Sequence, residues 1–233
     1  MISAIILAGG SSKRMGEGID KLMIPILKKP LLAYSLMAFQ ACSEVKEIVL
    51  VARTDRQSDY QAMAKEYSIS KLKSVVSGGI ERQDSVWVGL HSVSPKSEIV
   101  SIHDGARALI SVDIISRCIA SARQNGAAIP ACRVKDTIKR AVPNAPKEEN
   151  RVETTLDRSI LWAAQTPQTF RTDVIRQAYK PLINNGIIVT DDSAAVERVG
   201  LSVSLVEGDP LNLKITTPED LLIAEMVLLK RSL

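Results

Sequence analysis

A short apolar strand, Ser3-Ala4-Ile5-Ile6-Leu7-Ala8, runs into Gly9-Gly10-Ser11-Ser12-Lys13-Arg14-Met15, and Lys21 follows. Two glycines at a strand exit bring bare N–H groups to a ligand and open left-handed φ for a turn. The same stretch delivers three cations, and Arg14 and Lys21, seven residues apart, are placed to close over negative charge. This composition predicts a loop that holds a triphosphate against backbone at Gly9 and Gly10. It is neither of two familiar phosphate loops. The lysine after the glycines is followed by Arg14, which breaks G-x-x-x-x-G-K-[ST]. G-x-G-x-x-G is absent, and Leu22-Met23-Ile24-Pro25 lacks the helix such a fingerprint opens. The plainer alternative is a tight strand exit with no ligand.

In an open α/β sheet, ligands bind outside the carboxyl ends of the strands, so the residues after each strand form the candidate site. A strand near Val75-Val76 is followed by Gly78-Gly79-Ile80-Glu81-Arg82-Gln83-Asp84-Ser85, where backbone groups and Ser85 could read a base or ribose. The run 99–102 is followed by His103-Asp104-Gly105-Ala106-Arg107. A carboxylate beside phosphate loops is a natural holder of Mg²⁺, which takes one or two carboxylates plus phosphate oxygens; Asp104 is that residue. His103 reads as a structural hydrogen-bonding histidine. Further cations and hydroxyls are Thr137, Arg158, Thr166, Thr190 and Lys214. Thr190 could equally cap a helix over 192–199. Lys214 sits in a β-branched run, and a lysine in a buried strand requires an anion.

The chain thus offers many cations, one prominent acid and no Ser-His-Asp or Cys-His set. That suits nucleotidyl transfer between phosphates. A phosphate monoester, with a second pKa of about 6, is mostly dianionic at neutral pH and attacks phosphorus without a general base. The reaction needs two anions held in line and their charge neutralised, which Arg14, Lys21, Lys214 and Mg²⁺ at Asp104 would do.

These residues need a scaffold. Short β-branched runs at 3–8, 47–52, 99–102 and 127–131 alternate with amphipathic runs at 31–42, 56–67, 81–93 and 112–124. The rhythm predicts an α/β fold: a mostly parallel sheet with helices on both faces. Thr217, Pro218 and Asp220 mark the start of a last helix. From 135 to 158 the pattern becomes a two-stranded excursion, 137–142 and 151–156 around 143–150. An isolated hairpin is marginal in water, so this β-arm is expected to pair across a two-fold homodimer. The whole of 1–233 reads as one domain, since 233 residues suit a single α/β unit. The net charge of +4 favours an anionic partner, and aromatic content of 3% argues against stacking on nucleic acid. Cys42, Cys118 and Cys132 have no metal or redox spacing and read as reduced thiols of a cytoplasmic protein. No apolar run approaches the ~20 residues of a membrane span.

Taken in order, LAGGSSKRM with Lys21, GGIERQDSV, HDGAR, VKDTIKR, TLDRSILWAAQTPQTF, TDDSAAVE and LKITTPEDL resemble the 2-C-methyl-D-erythritol 4-phosphate cytidylyltransferases of the non-mevalonate isoprenoid pathway. The resemblance spans nearly the whole chain and implies a Rossmann-like nucleotidyltransferase domain acting on CTP and a sugar-alcohol phosphate. It implies that Arg14, Lys21 and Lys214 activate the triphosphate and stabilise the transition state. Asp104 would lie near Mg²⁺ and the α-phosphate, with Arg107 beside it. Gly79 and Ser85, with backbone at Ala8 and Gly9, would read cytosine. Thr137, Arg158, Thr166 and Thr190 would hold the acceptor, Thr137 and Arg158 in a partner's site. Two departures are Ser12, where the family commonly has a glycine, and Ala108, in place of the proline of HDxARP, which is expected to loosen that loop. Competing readings are a ribitol 5-phosphate cytidylyltransferase, a catalytically silent nucleotide-binding regulator, and a basic nucleic-acid binder.

Overall fold

The computed structural model describes residues 1–10, 19–143, 149 and 151–232 of the 233. The predicted phosphate loop around Ser12, Lys13 and Arg14 therefore lies outside the described residues.

Strand β1 (Ile2–Ala8) has helices on both sides, and its alternation divides the protein into two layers. Ala4, Ile6 and Ala8 join the cluster built with α1 (Leu31–Ala41), α2 (Gln57–Glu66) and α4 (Val112–Asn125). Ile5 joins the opposite cluster, with α3 (Arg82–Ser92), α5 (Thr172–Asn185) and α6 (Asp192–Arg198). Such near-continuous apolar strands mark a sheet covered on both faces, as the sequence rhythm predicts.

β4 (Val45–Ala52) and β6 (Ile99–Asp104) flank β1 in parallel, with Ile5 opposite Val49 and Ile102. β5 (Leu72–Ser77) continues the parallel set beyond β4. On the other side β11 (Gln168–Arg171) runs antiparallel to both β6 and β7 (Ala127–Arg133). β10 (Trp162–Ala164) pairs antiparallel with β7, and β12 (Ser204–Glu207) pairs parallel with it. A small hairpin, β2 (Pro25–Ile26) with β3 (Lys29–Pro30), stands apart.

Local chemistry accounts for several helix ends. Glu81 and Asp84 form a reciprocal capping box at the start of α3. Ser111 accepts the Ile114 N–H at the start of α4, and Gly126, at φ 88°, ends it. In α7 (Pro218–Ser232), the Asp220 carboxylate accepts the N–H groups of Thr216 and Thr217 at 2.7 and 2.9 Å.

Four features depart from the sequence reading. The β-arm strands are shorter than expected, β8 (Lys139–Ala141) and β9 (Val152–Thr155), and form a two-stranded sheet separate from the main one. The β-branched run around Lys214 is no strand: Ile215 donates one bond to the Ala106 carbonyl, so the run clips to a loop and makes no ladder. Helix α5 was hidden by Pro181 within it, although Ile175, Ala178, Tyr179 and Leu182 bury one face. Strand β11 reads Gln-Thr-Phe-Arg, too polar to announce burial.

Candidate active site

The carboxyl ends of β1, β5 and β6 surround a cavity of about 380 Å³. Its wall includes Gly9, Gly10, Lys21, Gly79, Arg82, Ser85, Asp104 and Lys214. Neither Gly9 nor Gly10 has a left-handed φ, so the turn does not need glycine for its dihedrals. What the site uses is the missing Cβ: among the described residues nothing lies within 4 Å of where one on Gly10 would sit. Ala8, buried, ends the strand behind them.

Lys21 opens a 3-10 turn in which the Leu22 N–H is capped by the Asp20 carboxylate, which also accepts the hydroxyl of buried Tyr60 at 2.8 Å. The ammonium reaches across the cavity and donates to the Ile215 carbonyl at 3.0 Å. Lys214, next to it in sequence, pairs with Asp104 Oδ2 at 2.7 Å, its side chain 42% exposed. The two lysines, 193 positions apart in the chain (21 to 214), thus line one cavity, Lys214 on the Asp104 carboxylate and Lys21 on the backbone carbonyl that follows Lys214.

Asp104 ends β6 with its side chain almost wholly enclosed. Burial presses its carboxyl upward, but Arg82, Lys214 and Arg107 outweigh burial and hold it far below the usual carboxylate range. It is a fixed anion. Arg82, the first residue of α3, reaches Oδ1 at 3.4 Å through Nε, while its two Nη atoms grip buried Asp192 at 2.9 and 2.8 Å. Burial alone would depress the guanidinium; Asp192 and then Asp104 keep it charged.

The Gly78–Ser85 loop is built by close approach. A Cβ on Gly79 would lie 2.2 Å from that of Asp84. Ser85 accepts the Gly79 N–H at 3.1 Å and donates to the Glu81 carbonyl at 3.3 Å, so its hydroxyl shapes the loop while also lining the cavity.

Behind Asp104, the Thr166 hydroxyl oxygen accepts the Asp104 N–H at 3.1 Å and lies 3.0 Å from His103 Nδ1. His103 Nε2 faces the Arg107 carbonyl at 3.3 Å. A carbonyl only accepts, so Nε2 carries the proton and Nδ1 accepts from Thr166. Full burial drives the histidine pKa down to about 3, and the ring is neutral. His103 is structural, as its sequence setting predicts. Thr166 is buried and serves as a strut rather than a cavity wall.

Arg107 is half-buried and donates to the Asn212 carbonyl at 2.6 Å, while its buried Nε has no hydrogen-bond partner among the described residues. The loop carrying it is pinned by Gly105 N–H to Leu7 O, Arg107 N–H to Asp104 O and Ile215 N–H to Ala106 O. Ala108, in this loop, is buried.

Thr137, Arg158 and Thr190 are exposed and do not line this cavity. Arg158 donates to the Lys135 carbonyl at the base of the β-arm. Thr190 stands just before α6, whose cap is Asp191. The structure adds two residues without a sequence-assigned role, Arg82 and Asp192. Each lies in a quoted segment, but nothing local signals a pairing 110 positions apart.

The fold and site together define a nucleotide-handling α/β protein: a switch-point cavity, a glycine wall, two lysines and one fixed carboxylate. The chain belongs to the 2-C-methyl-D-erythritol 4-phosphate cytidylyltransferase family (IspD), whose model matches residues 2–230. The protein of that name from Shouchella clausii is 43% identical over 229 residues, 98% of this chain and 97% of the relative. That from Caldanaerobacter subterraneus is also 43% identical, over 98% of this chain and 99% of its own. The crystal structure of 4-diphosphocytidyl-2C-methyl-D-erythritol synthase from Anaerococcus prevotii superposes with a TM-score of 0.85 at 32% identity, over 98% of this chain and 96% of that one.

Proposed function

We propose that the chain transfers CMP from CTP to 2-C-methyl-D-erythritol 4-phosphate, giving 4-diphosphocytidyl-2-C-methyl-D-erythritol and pyrophosphate. The observation that carries this is that Lys21, the Lys214–Asp104 ion pair, Gly9 and Gly10 line one cavity, in a chain of this family.

An acceptor phosphate oxygen forms a bond to the α-phosphorus, and the bond from that phosphorus to the bridging oxygen breaks, so pyrophosphate leaves with the electron pair. No proton need be removed from a dianionic acceptor, in keeping with a site whose histidine is buried and neutral. Lys21 and Lys214, with Arg14, neutralise charge that spreads over the phosphate oxygens in the transition state. Gly79 and Ser85, with backbone at Ala8 and Gly9, hold the base.

Asp104 fits a magnesium ion. It is ionised, it lines the cavity, and its contact to Arg82 is long. Among the described residues no group of three or more His, Cys, Asp or Glu is assembled, which suits an ion that takes one carboxylate and completes its shell with phosphate oxygens and water. The ion would add charge neutralisation at the phosphates.

The acceptor is held by Thr190 of this chain and by Thr137 and Arg158 of a partner's β-arm, in a homodimer. That arm carries exposed Val142 and Val152, and Ile160 beyond it is 74% exposed. No helix among the described residues is long and apolar enough to cross a membrane, and Cys42, Cys118 and Cys132 are free thiols; both agree with a cytoplasmic site of action.

Pyrophosphate release is measured with CTP and Mg²⁺, in parallel with 2-C-methyl-D-erythritol 4-phosphate and ribitol 5-phosphate. Release with the first alone is expected. Release with ribitol 5-phosphate alone would replace the acceptor, and silence with both in folded protein would favour a regulator.

A further inference from the structure

Arg82 stands between two carboxylates at unequal distances. Asp192 takes both Nη atoms at 2.9 and 2.8 Å, while Asp104 receives only Nε, at 3.4 Å. All three guanidinium nitrogens are engaged, which fixes the plane and position of the cation, although each Nη keeps a second N–H. Asp192 is 0% exposed and can touch no substrate. It is itself held from behind, because the hydroxyl of buried Tyr179 donates to its Oδ1 and its backbone N–H donates to Gln168 Oε1 at 2.9 Å. A buried carboxylate gripping a fork in this way fixes the cation's place as well as its charge.

We propose that Asp192 is a positioning residue of the transfer reaction: it holds the Arg82 guanidinium back in the cavity wall, leaving the Asp104 carboxylate to Lys214 and to the incoming ligands. Without that grip, Arg82 closes on Asp104 or on the triphosphate, adding local positive charge in the wrong place. Nucleotide would bind as well as before, or more tightly, while the reacting groups lose alignment. This rests on the transfer reaction proposed above.

The variants are Asp192→Asn, Arg82→Lys, their double, and Tyr179→Phe. Turnover per folded enzyme is compared with CTP affinity from calorimetry without acceptor. Asp192→Asn and Arg82→Lys are each expected to lower kcat roughly 10- to 100-fold, with CTP binding no weaker than about half that of the parent. The double variant should lose no more than the worse single, because both break one device. Tyr179→Phe should lower kcat by about threefold with CTP affinity unchanged, and it carries the test if Asp192→Asn does not fold. A kcat within about twofold of the parent in either Asp192→Asn or Arg82→Lys would overturn the proposal. So would losses that multiply in the double, or CTP binding and melting temperature falling together, the mark of a merely structural residue. If the parent itself releases no pyrophosphate, the transfer reaction fails. The CTP titration then decides alone: retained or tightened binding in Asp192→Asn supports the clamp, and weakened binding refutes it.

Discussion

Lys214 is half exposed and Lys21 reaches a backbone carbonyl, so neither holds the core together. Lys21→Ala and Lys214→Ala are expected to reduce turnover by about 100-fold or more, the scale of losing one preorganised charge at a transition state. The melting temperature should barely move for Lys21→Ala, and should fall somewhat for Lys214→Ala, which takes one of its partners from the enclosed Asp104 carboxylate. Pyrophosphate release beside a thermal melt reads both, and near-normal rates in either variant would remove these lysines from the chemistry. His103 gives a residue-scale prediction of another kind. Its folded pKa, about 3, lies below the ordinary 6.5, so below pH 6.5 the unfolded chain takes up a proton that the folded protein refuses. Stability should therefore be full above pH 6.5 and fall toward pH 3, by about 1.4 kcal/mol per pH unit at most. Asp104, also depressed, adds its own loss only below about pH 4. Urea unfolding between pH 7 and pH 4.5 isolates the histidine, and a flat profile there would mean that its ring is charged or exposed.

Among the elements, the two glycine loops differ in what glycine is for. On Gly79 a Cβ would collide with Asp84, part of the capping box of α3. Gly79→Ala should disturb the empty protein, lowering its melting temperature as well as its CTP affinity. On Gly10 a Cβ meets nothing described within 4 Å. Gly10→Ala should leave the empty protein's melting temperature unchanged while weakening CTP by about tenfold, or about 1.4 kcal/mol. Calorimetry on both variants checks the contrast, and equal effects on the empty proteins would refute it. The β-arm is the other element with its own test. Arg158→Ala should raise the acceptor KM with little change in that for CTP. Mixing Arg158→Ala with Lys21→Ala subunits should restore one working site per hybrid dimer, and no recovery would argue against exchange of arms.

At the scale of the molecule, two apolar layers clasp the sheet, while the small β8–β9 sheet buries almost nothing of its own. A hairpin with Val142 and Val152 exposed gains stability by covering them. Sedimentation should show a dimer, and Val152→Lys should shift it toward monomer with loss of activity. A monomeric parent with full activity would place the whole site in one chain.

Much of this was legible in the chain. Ile5, Val49 and Val51 alternate with Ala4, Ile48 and Leu50, and a period of two over apolar residues already requires a sheet covered on both faces. Glycines after one strand and Asp104 after another could be placed at one sheet edge, because parallel strands deliver their carboxyl ends together. Other features were not legible because they have no local signature. The polar run of β11 is buried by its neighbours, and α5 forms through Pro181 because its apolar face has a core to meet. Lys214 looked like a buried strand residue and is a half-exposed loop cation, since one hydrogen bond to Ala106 decides where that run goes. Residue types and short-range periodicity determined the scaffold and the kind of chemistry. The partners of Arg82, the tautomer of His103 and the strut at Thr166 were decided only in three dimensions, because each depends on distances and burial between residues far apart in the chain.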